Sequence, residues 1–466
     1  MNVTELAAQV QGQVQTARSL SEAALVRLQD AAPLNAEAWC VPDAALVQAD
    51  AVDRLCSMQK DAGPLAGVPV AVKANIAVEG MPMDCASASL VGYVATATAR
   101  AAYLLQNAGA VVLCGANMDE LAIGTTGANS VHGATGNPKL PGHVPGGSSS
   151  GSAALVAAGV VPLALGTDSG GSVRQPAAWC GVVGAVGTWG RISRSGVMAH
   201  ASSFDRVGVL GRRVADAALA MEVLSGPDSQ DASAALRDVP VLLKAASLGV
   251  EGLKIGVLRQ AQDMADPVVA GAVQSTLEGL RDQGAILKEL SLPELNIALP
   301  CYQVLAAVEA LSNLARIDGM RFGPRGQGES FHQALRHARS AGFGPAVKQR
   351  LLFGSYLAEH QQDLVEPSRQ FREQLKLSLF MLLGEVDAIV LPTTAGLPLK
   401  VGEQDGGMSD ALTVLSSLAG VPAISVPVGR EPGQAIGAQV LSRIWDERSA
   451  FRVAGAIESL TDSALG

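Results

Sequence analysis

Three separated stretches carry residue types that can activate a serine. "VPVAVKANI" runs through an apolar segment onto Lys73. "GGSSSGSA" sets a serine cluster at 148–150, and "GTDSGGSVRQP" places Ser169 and Ser172 in a glycine-rich turn. A serine hydroxyl is a weak nucleophile until an adjacent base takes its proton. A lysine becomes such a base when burial lowers its pKa. A second serine can relay the proton where the lysine does not reach. The glycines add backbone N–H groups that approach a substrate closely enough to hold an oxyanion.

Other readings of the same letters meet obstacles. "DSGG" with Ser169 attacking would be the pattern of a secreted trypsin-like protease, which needs a histidine base oriented by an aspartate on an all-β fold. The six histidines, at 132, 143, 200, 332, 337 and 360, lie in no such context. "GSSSG" (147–151) fits G-x-S-x-G, but that motif must follow a strand, and "KLPGHVP" reads as loop; no histidine follows His360. A phosphate cradle would need G-K-[ST] after a strand. The plain alternatives are a flexible surface loop for the serine cluster and a surface lysine for Lys73; the three stretches together argue for chemistry.

The elements that must position these residues alternate. Helical periodicity covers 3–28 and 43–60, a buried strand ends near Lys73 within 63–76, a helix covers 95–108 and a strand 111–115. "NMDELAIGT" is expected to open another helix. A Gly/Pro/Ser-rich loop fills 136–152, then helix 152–160 and strand 161–167 lead into the Ser172 turn. Later come helices at 214–226, 267–284, 301–320, 345–383 and 409–420, a final helix, and strands at 253–259, 285–292, 387–394, 423–429 and 435–443. This is an α/β pattern: a large mixed central sheet covered by helices on both faces. One domain over 1–466 is expected, with N-terminal helices to about 62, a core from about 63 to 230, and a helical insertion at about 300–380.

The net charge of −9 argues against direct nucleic-acid binding. Six dispersed cysteines without a C-x-x-C pair argue against a zinc site and read as reduced thiols. The N-terminus lacks the pattern of a signal peptide, and the apolar run at 153–166 is too short to span a bilayer. The expectation is a cytoplasmic protein with no membrane partner and no metal.

The block "GGSSSGSAALVAAGVVPLALGTDSGGSVRQPAAWCGVVG" resembles the signature of the amidase signature hydrolases. That resemblance implies the amidase signature fold and a Ser–cis-Ser–Lys triad: Ser172 as nucleophile, Ser148 as bridging cis-serine, Lys73 as base. It implies an oxyanion hole from the N–H groups of Ser169, Gly170, Gly171 and Ser172, with Asp168 and Arg174 supporting the loop. "NMDELAIGTTGANSVHGATGNP", "EALSNLARIDGMRFG" and "LTVLSSLAGVPAISVPVG" further resemble the A subunits of glutamyl-tRNA(Gln)/aspartyl-tRNA(Asn) amidotransferases, over nearly the whole chain. That group hydrolyses glutamine and passes the ammonia to a tRNA-binding partner, in a complex that also holds a small subunit. No cofactor is implied for this chain; ATP and Mg²⁺ would serve a partner. Arg350 would bind the glutamine α-carboxylate, Asp410 the α-ammonium, and Tyr302 would hydrogen-bond the substrate.

The chain departs from the family pattern at Ala74, where Asp usually follows the lysine, and at "GAVGTWGR" (184–191), usually "GLKPTYGR". It also reads "GGSSSGS" for the common "GGSSGGS". A stand-alone amidase acting on another small, aryl or peptide amide is the alternative; a silent scaffold is disfavoured by the intact Lys73, Ser148 and Ser172.

Overall fold

The computed structural model describes residues 2–405, 409–429 and 434–465. Eleven strands of these residues form one mixed sheet. In chain order they are β1 (Glu37–Cys40), β2 (Pro69–Lys73), β3 (Val111–Ala116), β4 (Leu163–Asp168), β5 (Val183–Val186), β6 (Arg206–Gly211), β7 (Lys254–Leu258), β8 (Ile286–Leu290), β9 (Ala388–Pro392), β10 (Ala423–Pro427) and β11 (Gly437–Leu441). The spatial order is β1-β3-β2-β4-β6-β5-β10-β11-β9-β7-β8. β2 is parallel to β3 and β4, and β7 to β8 and β9; the remaining pairs are antiparallel.

The strands that end in Lys73 and Asp168 are internal, third and fourth from the β1 edge of the sheet. β2 ("PVAVK") and β4 ("LALGTD") are buried along their whole length, as continuous small-apolar strands covered on both faces must be. Lys73 ends β2 and Asp168 ends β4, so this parallel pair delivers both to the same end of the sheet. The helix Ser150–Ala157 ("SGSAALVA") has small side chains on nearly all sides and is buried almost throughout, packing against β2, β3 and β4.

Three differences from the sequence pattern have physical reasons. "NMDELAIGT" does not open an α-helix. Glu120–Ala122 is a short 3₁₀ turn in which Leu121 (φ 52°) and Ala122 (φ 62°) are left-handed. The Asp119 carboxylate folds back to accept from Gly127 N and Asn129 N, both at 3.0 Å, instead of capping a helix. The helical stretch 345–383 is two helices, Pro345–His360 and Gln362–Glu385, preceded by Phe331–Gly342. The stretch 174–211 holds elements that periodicity does not mark: helix Arg174–Cys180, β5 and β6, whose glycines read locally as loop. Leu295–Arg316 is long and apolar enough to cross a bilayer by length and composition, unlike 153–166; here it packs against the two helices of 345–385.

Candidate active site

Lys73 is 0 % exposed. Its Nζ bonds to Ser148 Oγ (2.8 Å), Ser149 Oγ (2.9 Å) and Thr167 Oγ1 (2.9 Å). Burial drives its pKa down to about 7, against the opposing pull of Asp119, Asp168 and Asp205. A large fraction is therefore neutral at physiological pH and able to accept a proton. The Gly147–Ser148 peptide is cis. Gly147 is required for a packing reason: a Cβ there would sit 2.0 Å from Asp119 Oδ2. Asp119 N also donates to the Ser148 carbonyl (3.2 Å), and Gln175 Oε1 accepts from Gly147 N (2.9 Å), so the serine loop is held from both sides.

The second loop leaves β4. Asp168 is fully buried, and burial alone would push its carboxyl up. The guanidinium of Arg174 outweighs this, helped by Arg206 and Val173 N, and holds it down to about 2. Arg174 donates Nε and Nη2 to the two carboxylate oxygens at 3.0 and 2.8 Å, a bidentate fork. Its remaining donors reach Thr413 O (2.7 Å), Gln439 Oε1 (2.5 Å) and Ser417 Oγ (3.1 Å). Ser169 Oγ donates to Asp205 Oδ1 at 2.6 Å, so this hydroxyl is occupied by a carboxylate and not by a histidine. The N–H groups of Gly170, Gly171 and Ser172 donate to no group among the described residues, which leaves them free for a ligand oxygen. A Cβ on Gly171 would lie 2.2 Å from Thr413 Oγ1, so this loop passes where only glycine fits. Ser149 N donates to Ser172 O at 3.1 Å and joins the two serine loops. No hydrogen bond joins the Ser148 and Ser172 hydroxyls among the described residues.

Ser172, 8 % exposed, opens onto a cavity of about 320 Å³. Arg350, Asp410 and Tyr302 line the same cavity, so residues from three distant parts of the chain converge on the serine. Arg350 is half-buried and makes no ion pair among the described residues. Asp410 Oδ1 is buried without a hydrogen-bond partner among the described residues; burial, reinforced by Asp405, raises its carboxyl to about 7. Burial pushes the Tyr302 phenol far up, which keeps it a protonated donor; its ring packs edge-on against Phe204, centroids 5.3 Å apart. A Cβ on Gly170 would touch the Tyr302 ring at 2.7 Å, so the phenol lies directly on the glycine loop.

The sequence profile named Amidase matches residues 19–450. The chain belongs to the Amidase family. It is 39 % identical over 457 residues to the A subunit of the glutamyl-tRNA(Gln) amidotransferase of Chloroflexus aurantiacus, covering 96 % of this chain and 94 % of that one. The solved structure of the corresponding A subunit of the glutamyl-tRNA(Gln) amidotransferase of Thermotoga maritima superposes with a TM-score of 0.75 at 35 % identity, covering 85 % of this chain and 84 % of that one. The native peptide amidase of Stenotrophomonas maltophilia superposes with a TM-score of 0.87 at 28 % identity, over 99 % of this chain and 97 % of that one. The α/β fold with its mixed sheet is thus the amidase signature fold, and the chain is an enzyme of the carbon–nitrogen amidase class.

Three residues of the site in this Amidase family member escape the sequence reading. Asp119 anchors the serine loop; burial raises it to about 6 while the Gly127 and Asn129 amides and Lys73 pull it down. Asp205 fixes Ser169 and accepts from His200 N and Ala201 N. His200 lines the cavity. The local sequence around them, "NMDELA" and "GVMAHASSFD", mixes polar and apolar residues and marks none of the three as a site residue. Of the departures from the family pattern, Ala74 is buried against Ala86, Met118 and Ala122. With no carboxylate at that position, burial governs the charge of the adjacent Lys73.

Proposed function

We propose that this chain hydrolyses the side-chain amide of glutamine to glutamate and ammonia, as the A subunit of a heteromeric tRNA-dependent amidotransferase. The observation that carries the reading is the buried Lys73, bonded to Ser148, in the same site as a Ser172 whose cavity also holds Arg350 and Asp410. Ser172 Oγ attacks the amide carbon while its proton passes through Ser148 to neutral Lys73. The N–H groups of Ser169 to Ser172 take the developing oxyanion. The proton returns to the departing nitrogen, which leaves as ammonia, and water then hydrolyses the acyl-serine to glutamate. Asp168 and Arg174 hold the loop in register. Arg350 pairs with the α-carboxylate, Asp410 with the α-ammonium, and Tyr302 donates a hydrogen bond. No cofactor enters this step. ATP and Mg²⁺ belong to the partner that activates and amidates the tRNA-bound glutamate or aspartate. The complex is cytoplasmic, and its two other members are a larger tRNA-binding protein and a small one.

The test is ammonia release from glutamine: Ser172→Ala should lower kcat at least ~10⁴-fold. Release at near wild-type rate would remove Ser172 from the mechanism. The likeness to a peptide amidase over the whole chain favours one second reading, a stand-alone amidase acting on another amide. Copurification separates the two: a member of an amidotransferase comes down with its two partners and is faster in their presence.

A further inference from the structure

His200 is 5 % exposed and lines the cavity beside Ser172, yet neither ring nitrogen has a hydrogen-bond partner among the described residues. An imidazole buried without partners costs free energy unless a ligand supplies them. The ring's attachment is on the reacting side of the cavity. Its backbone N donates to Asp205 Oδ2 at 2.9 Å, and the same carboxylate takes the Ser169 hydroxyl at 2.6 Å. Its carbonyl is held by Asn313 Nδ2 at 3.1 Å. The Leu121 carbonyl faces the ring but lies outside hydrogen-bond geometry. Burial drives the imidazole down to about 4; Asp205 opposes this, while Arg350 and Lys73 add to it. The ring is therefore neutral near pH 7, with one donor and one acceptor nitrogen.

A primary carboxamide in this site has its oxygen directed to the free N–H groups of the glycine loop, which leaves an NH₂ in need of an acceptor. Thr125 is engaged with Asp405 (2.9 Å). Asp410 is assigned to the α-ammonium in the reading above, on which this inference rests. We propose that His200 contacts the substrate directly, its unprotonated ring nitrogen accepting an N–H of the scissile carboxamide, and so makes the site selective for amides over esters. An ester of the same shape has no N–H to give, and the buried nitrogen stays unpaired.

The test compares the full chain, with any copurifying partners, on glutamine and on glutamic acid γ-methyl ester. His200→Leu should lower kcat/KM for glutamine about tenfold or more, while the ester changes less than about threefold. His200→Gln, which restores an acceptor, should recover most of the amide activity. A purely structural role would depress both substrates alike. Equal losses on both, or an unchanged amide-to-ester ratio, overturn the proposal. Labelling of Ser172 by phenylmethylsulfonyl fluoride reports an intact nucleophile in each variant. If wild type cleaves another primary amide and not glutamine, the glutamine reading fails, and the amide-to-ester ratio on that compound and its methyl ester decides His200 by the same criterion.

Discussion

On the base's side of the site, Lys73 is fully buried and its nitrogen is bonded to Ser148, Ser149 and Thr167. On the side proposed for recognition, Arg350 is half-buried without an ion pair and Asp410 keeps a buried carboxylate oxygen unpaired, both among the described residues. The first arrangement needs no ligand to be complete; fixed dipoles and a desolvated amine stand ready for proton transfer. The second is incomplete alone and is satisfied by a ligand carrying opposite charges, as an amino acid does. Under the proposed function, chemistry is preorganised at one end, and selection is left to unsatisfied groups at the other.

The contrast breaks most clearly at the base. Lys73→Ala should lower kcat about 10³-fold with little change in KM, as steady-state ammonia release would record. A large rise in KM instead would mean that the two ends are not separable. Arg350→Ala should do the reverse: KM for glutamine rises about 10–100-fold, the scale of a lost charge-assisted hydrogen bond, while kcat stays within a few-fold. The smallest effect concerns pH. In the proposed mechanism Lys73 loses its proton to act as base and Asp410 loses its own to pair with an ammonium, and both titrate near 7. Activity is therefore lost as pH falls through 7, and log kcat/KM should approach a slope of two on the acid side. Asp410→Asn should reduce that slope to one; an unchanged slope would take Asp410 out of the titration.

Much of the base's side is legible in the sequence. An apolar run ending on lysine, "VPVAVK", predicts a buried strand end, and β2 stops at Lys73. The alternation of strands and helices predicts the mixed sheet. Asp119, Asp205 and His200 are not legible as site residues, because their roles depend on distant partners. Asp205 meets Ser169, 36 positions earlier, only because β6 lies beside β4. Local propensity favours a helix start at Glu120–Ala122, whereas the chain makes a 3₁₀ turn there because Asp119 spends its carboxylate on Gly127 and Asn129.

Arg174 follows Ser172 by two positions, but its partners Thr413, Ser417 and Gln439 lie 239, 243 and 265 residues later. During synthesis, Lys73, Ser148 and Ser172 leave the ribosome long before these three partners of Arg174. At about 5–20 residues per second the gap is on the order of tens of seconds. Through that interval the nascent chain carries Lys73, Ser148 and Ser172 without the three distant partners that complete the Arg174 network. A chain that ends before Thr413 lacks all three of these partners and leaves two donors of the buried Arg174 guanidinium without them.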